Sequence, residues 1–145
     1  MSVPLLDVNV LVALLDPAHP NHEDAHSWYS VQRKRGWATC PATIAGCIRV
    51  LSNLAYPSFQ ATASDVISHL RVLCSGAGHE FWSEGVSLLD EKLFRPEMIA
   101  GHQKITDIYL LGVAVHYRGR LATFDRAIPL KAVIGANSAH LVLLG

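Results

Sequence analysis

Long apolar runs are missing from this chain of 145 residues: no stretch approaches the ~20 uninterrupted apolar residues of a bilayer span. The N-terminus also lacks a basic segment leading into an apolar run and a small-residue cleavage site, so we expect a cytoplasmic protein that does not engage a membrane. Cysteine is scarce and odd in number. Cys40, Cys47 and Cys74 have no C-x-x-C spacing, which argues against a disulfide framework or a cysteine-based zinc site and for reduced, mostly buried thiols. Net charge is lacking too. Twelve Lys and Arg balance twelve Asp and Glu, which argues against a broadly basic surface for long-range capture of nucleic acid and leaves room only for a local basic groove. Charged residues make up 17 % of the chain against 50 % hydrophobic, and apolar surface in that excess calls for a partner to cover it. The few aromatics, Trp28, Tyr29, Trp37 and Trp82 among them, sit in apolar contexts that fit core or partner contacts better than base stacking.

What is present reads as one domain over residues 1–145, without repeat, linker or low-complexity tract. It opens on Leu5-Leu6-Asp7-Val8-Asn9-Val10-Leu11, an apolar strand that reaches an acid and then turns helical. Open α/β sheets place their chemistry at such strand ends, which makes Asp7 a candidate working residue as well as a candidate helix cap. The helix after it ends at Asp16-Pro17, and a second is expected from about Pro20 to Lys34, with early acids and late bases matching its dipole. His22 and His26 lie one turn apart on that helix, where solvated or half-buried histidines are expected rather than zinc ligands. Trp37–Cys40 reads as a strand, Thr43–Asn53 as a helix, Tyr56–Gln60 as a loop, and Thr62–Asp65 as the start of a helix that stops at Ser75-Gly76-Ala77-Gly78. His79–Trp82 fits a short edge strand, and the region around Leu88–Pro96 is helical or irregular.

The C-terminal third repeats the opening logic. Thr106 is the expected N-cap of an apolar helix running to Gly119, with Asp107 in its first turn. Leu121-Ala122-Thr123-Phe124-Asp125 is again an apolar strand ending in an acid, and His140–Leu144 makes a last strand. Strands alternating with helices give a parallel sheet covered on both faces. Such a fold can gather Asp7, Asp107 and Asp125. Clustered carboxylates raise one another's pKa unless a cation compensates, so the trio points to a hard divalent ion such as Mg²⁺ or Mn²⁺ acting on a phosphodiester. Two other acid-bearing folds fit less well. A dehalogenase-type phosphatase needs a second acid where Asn9 stands, together with a lysine that finds no match here, and a receiver domain needs paired acids and a late strand-end lysine.

The segments Asp7-Val8-Asn9-Val10-Leu11, Thr43–Asn53 with its Arg-Val-Leu-Ser-Asn ending, Thr106-Asp107-Ile108-Tyr109-Leu110 and Leu121–Arg126 occur in an order that resembles PIN-domain ribonucleases of the VapC toxin type. The resemblance covers nearly the whole chain. It implies a PIN-like three-layer α/β/α fold with a mainly parallel twisted sheet, a Mg²⁺- or Mn²⁺-dependent endoribonuclease, inhibition by a cognate VapB-like antitoxin, and a homodimer. Asp7, Asp107 and Asp125 match the family's metal-binding acids, with Asn9 and Thr123 as supporting hydrogen-bonding residues. Arg49, on the helix that opens beside the site, is the expected RNA contact, and Arg118, Arg120 and Arg126 are further basic candidates. One departure is chemical: where the family places a glutamate after the threonine opening the third helix, this chain has Ile44, which cannot bind metal or hold a water. Three acids suffice for one ion, and catalysis impaired by Ile44, leaving a module that binds RNA or antitoxin, is the alternative.

Overall fold

The computed structural model describes residues 2–58 and 60–145. Phe59, in the loop expected over Tyr56–Gln60, lies outside them. In chain order the elements are β1 (Pro4–Leu6), α1 (Val8–Leu15), α2 (His22–Gln32), β2 (Trp37–Thr39), α3 (Pro41–Leu51), α4 (Ala63–Leu73), β3 (His79–Phe81), α5 (Ile105–His116), β4 (Arg120–Thr123) and β5 (Leu141–Leu143), with short 3₁₀ turns between the later ones. The five strands form one sheet in the order β3-β2-β1-β4-β5, and every pairing is parallel. Chain order reverses between β1 and β4. That is the topological switch point, where the connections leave to opposite sides and a crevice opens at the carboxyl ends.

Side chains alternate across the strands with the period of two that a pleat imposes. Leu5, Ala38 and Leu121 face one apolar cluster with α5, Trp82 and Phe94, whereas Leu6, Trp37 and Ala122 face a second one with α1, α3 and α4. Two cores on opposite faces of a single sheet make three layers. Helix α1 comes close enough to α3 that a Cβ on Gly46 would lie 2.6 Å from Val8 Cγ2, so glycine is what permits this approach.

Several boundaries differ from the sequence reading for local reasons. Helix α3 begins at Pro41, because proline suits the first helical turn and Thr43 closes a capping box with Cys40. It ends at Leu51, not Asn53. Helix α2 starts at His22 behind Asn21 and stops at Gln32, short of Lys34. Thr106 is not the cap of α5: a 3₁₀ turn over His102–Lys104 runs into the helix, Lys104 takes the capping position, and Thr106 becomes helical. Asp107 remains in the first turn.

Candidate metal centre

The register Leu6↔Ala122 sets the next residues of each strand, Asp7 and Thr123, beside each other at the switch point. The ladder continues one step further through Asp7 N–H to the Ala122 carbonyl at 2.9 Å. Thr123 then donates its hydroxyl to Asp7 Oδ2 at 2.7 Å, while the same Oγ1 accepts the Asp125 N–H at 3.1 Å. One buried threonine thus ties both strand-end acids. The other oxygen of Asp7 caps α1, accepting the Val8 N–H at 2.7 Å, so cap and candidate ligand are the same residue. Asp107 reaches the group from the first turn of α5 and shares a hydrogen bond with Asp125.

Burial pushes Asp7 above the ordinary aspartate range, against the opposing hydrogen bonds from Thr123 and Val8, and the charge of Asp125 adds to the rise. Asp107 is pushed up to about 6, first by burial and then by the charge of Asp7 and its bond to Asp125. Asp125 moves the other way because the Lys104 ammonium bonds to it. Two acids that resist ionising beside a third that is held ionised form a site short of positive charge.

The donor chemistry, three hard carboxylates, fits a hard divalent ion. As the side chains stand, no group of three His, Cys, Asp or Glu among the described residues is drawn into a ready metal cage. Lys104 Nζ, 2.6 Å from Asp125 Oδ2, occupies part of that space. Ile44 adds no donor; it lines an apolar cleft of about 220 Å³ with Ile48, Ile67, Leu70 and Phe81.

Asn9 is exposed in the first turn of α1, close behind Asp7. Arg49 is exposed in the last turn of α3, about two turns from the helix end that faces the acids. Arg118 and Arg120 are not near the site: they precede or begin β4, at the opposite end of the strand from Asp125, roughly 16 Å away at strand rise. Arg126 adjoins Asp125 and donates to the Gly145 carbonyl at 3.1 Å. His22-Glu23-Asp24-Ala25-His26 has the H-E-x-x-H spacing of zinc helices, yet no third ligand joins the pair among the described residues, and His22 Nδ1 bonds the Ala13 carbonyl at 2.7 Å.

Two residues escaped the sequence reading, one beside the acids and one that links α3 to α5. Lys104 was legible in principle, three residues ahead of Asp107 and hence on the same side of the helix start. Glu84 was not. At φ 81° it accepts the Ala42 N–H at 2.9 Å and the Tyr109 hydroxyl, while Tyr117 bonds its backbone, so it joins the start of α3 to α5 across long sequence separations.

A three-layer parallel α/β domain with convergent aspartates at its switch point defines the class, and the sequence matches the PIN domain family over residues 5–133. The chain belongs to the PIN-domain family. Within it the chain is similar to proteins of the VapC type from Mycobacterium tuberculosis. Ribonuclease VapC44 (strain ATCC 25618 / H37Rv) is 45% identical over 140 residues, covering 97% of this chain and 98% of the relative. Ribonuclease VapC39 of the same strain is 39% identical over 131 residues, covering 90% and 94%, and Ribonuclease VapC38 is 38% identical over 127 residues, covering 86% of each.

Proposed function

We propose that this chain is a Mg²⁺- or Mn²⁺-dependent endoribonuclease and the toxin of a toxin–antitoxin pair, with Asp7, Asp107 and Asp125 as its metal-holding acids. The observation that carries the reading is the tie between the strand-end acids, with Thr123 bridging Asp7 and Asp125, and the approach of Asp107 from the first turn of α5, where the charges of Asp7 and Asp125 act on it. A bound ion would supply phosphodiester polarisation and a more acidic attacking water. The protein's part is positioning. Thr123 fixes the carboxylate plane of Asp7, the start of α5 presents Asp107, and the Asp125 backbone is held by the same threonine. Asn9, exposed beside Asp7, is the proposed supporting hydrogen-bonding residue of the site, and Arg49, further down α3, is the proposed contact to RNA.

The partners proposed are an RNA substrate, a VapB-like antitoxin and a second copy of the chain, with action in the cytoplasm; none of the described helices is long and apolar enough to cross a membrane. The relatives' names support the nuclease class. A second reading, an impaired module that binds RNA or antitoxin with little turnover, is favoured by one observation, the apolar Ile44 on α3. Cleavage of structured RNA in Mn²⁺ separates the two. The nuclease reading expects Asp7→Asn, Asp107→Asn and Asp125→Asn each to lower the rate by on the order of 100-fold or more, and Thr123→Val by about 10–100-fold, the usual cost of losing a residue that orients a ligand. Wild-type protein that leaves RNA intact while Ile44→Glu cleaves it establishes the impaired module instead.

A further inference from the structure

Basic side chains that play no part at the acids collect at the other end of the sheet. Arg120 opens β4, and its register with Pro4 sets it beside Ser2 at the amino ends of the strands, whereas the acids stand at the carboxyl ends. The run Arg33-Lys34-Arg35 arrives at the same edge from the end of α2. Ser2, Gln32, Arg35 and Arg120 line one cavity of about 360 Å³, within the ~300–1,000 Å³ of small-ligand sites.

The cavity is short of negative charge. Neither arginine pairs with a carboxylate among the described residues: Glu80, whose side chain comes up to Gly36, bonds the Trp82 indole at 3.2 Å instead. Two like charges facing one small cavity repel unless an anion lies between them. The Nε–H of Arg120 is buried with no hydrogen-bond partner among the described residues, a costly state for a charged donor that an acceptor in the cavity would relieve. The dipole of α2 favours cations behind its end, but its last carbonyls are already taken, since Tyr29, Val31 and Gln32 accept the backbone N–H groups of Arg33, Lys34 and Arg35. The buried Gln32 amide spends itself on the Gly36 carbonyl at 2.9 Å. Both guanidinium forks are left open to a ligand.

We propose that this cavity is an anion site in which Arg35 and Arg120 hold a phosphate group, a tetrahedral anion that presents oxygens to both forks at once. It is separate from the acids and does not depend on how they are read. Two sources share this chemistry: the free ion, and the backbone of an RNA lying across this edge of the sheet.

The test is thermal melting of the full chain in EDTA, titrated with inorganic phosphate against sodium chloride of equal ionic strength. Phosphate is expected to raise the melting temperature saturably and beyond chloride. Arg35→Gln and Arg120→Gln should each weaken the apparent affinity about tenfold or more, the cost of a charge-assisted contact. Lys92→Gln, the same change of charge on an exposed residue outside the cavity, should leave it unaltered. Arg35 is exposed, so its variant reads the site even if Arg120→Gln disturbs β4. A phosphate effect no greater than that of chloride, or one that Arg35→Gln alters no more than Lys92→Gln does, overturns the proposal. Anisotropy of a labelled single-stranded RNA in the same buffer separates the sources. If RNA supplies the phosphate, the inorganic ion competes at constant ionic strength, and Arg35→Gln flattens the slope of log affinity against log salt by about 0.7. RNA binding that is absent or indifferent to Arg35→Gln assigns the site to the free ion. RNA left uncut in Mn²⁺ defeats the nuclease reading and leaves this site standing.

Discussion

Asp107 is the residue whose charge state depends most on its company. Its pKa of about 6 in the folded chain lies above the 3.8 of an unperturbed aspartate, so between those values the folded state holds a proton that the unfolded state has released. Stability of the metal-free chain should therefore decline as pH rises from about 4 to about 6 on this account, and the full penalty should persist above. Asp107→Asn removes it. Thermal melts without metal should place Asp107→Asn above wild type at pH 7.5 and level with it at pH 4, and an equal gain at both would reject the assignment. Mn²⁺ must displace the same proton, so its affinity should fall below pH 6 with proton uptake by the buffer measurable in calorimetry. The acids themselves could be read from sequence, because an apolar strand ending in Asp and an Asp in a helix's first turn are local patterns. Thr123 was found through the family resemblance, as a supporting residue beside the acids. The Glu84 bridge could be found in neither way, since a residue fixed by Ala42, Tyr109 and Tyr117 leaves no periodic trace.

At the scale of elements, Asp7 is aimed by the packing of α1 on α3 as much as by its own strand. Gly46 sits where a methyl group would strike Val8, the residue whose N–H Asp7 caps. Gly46→Ala should cost about 1–3 kcal/mol, the range for overpacking a filled core, read as a lower urea midpoint with an unchanged m-value. If α1 gives way by tilting, Mn²⁺ affinity should fall alongside stability; an alanine tolerated without either loss would mean that the α1–α3 contact does not hold the site. The existence and type of these helices followed from hydrophobic spacing and caps, and all five appear where expected. Their ends followed less well. The start of α3 was hidden because Pro41 reads as a breaker unless the capping box behind it is noticed, and Lys104 displaced Thr106 at α5 because a preceding 3₁₀ turn extends the helix backward.

The whole molecule makes the site by strand order, which the sequence implied only as a parallel sheet. Alternating elements fix the class, but the placement of β4 next to β1 is a long-range choice made by burial: Leu5, Leu6, Leu121 and Ala122 are fully buried, one set against each core, and only central strands can satisfy both faces. Edge strands carry a lighter load, with Glu80 and Phe81 of β3 and Leu143 of β5 exposed. This difference has a measurable consequence in hydrogen exchange. Amides of β1 and β4, including Asp7 N–H bonded to Ala122, should exchange only through global unfolding, while those of β3 and β5 open locally and exchange at least about 100-fold faster. Uniform protection across the five strands would mean that the sheet opens as one unit and that strand order confers no special rigidity on the acids. Early exchange at Asp7 and Leu121 would be more damaging still, because any local parting of β1 from β4 separates Asp7 from Thr123 and with it from Asp125.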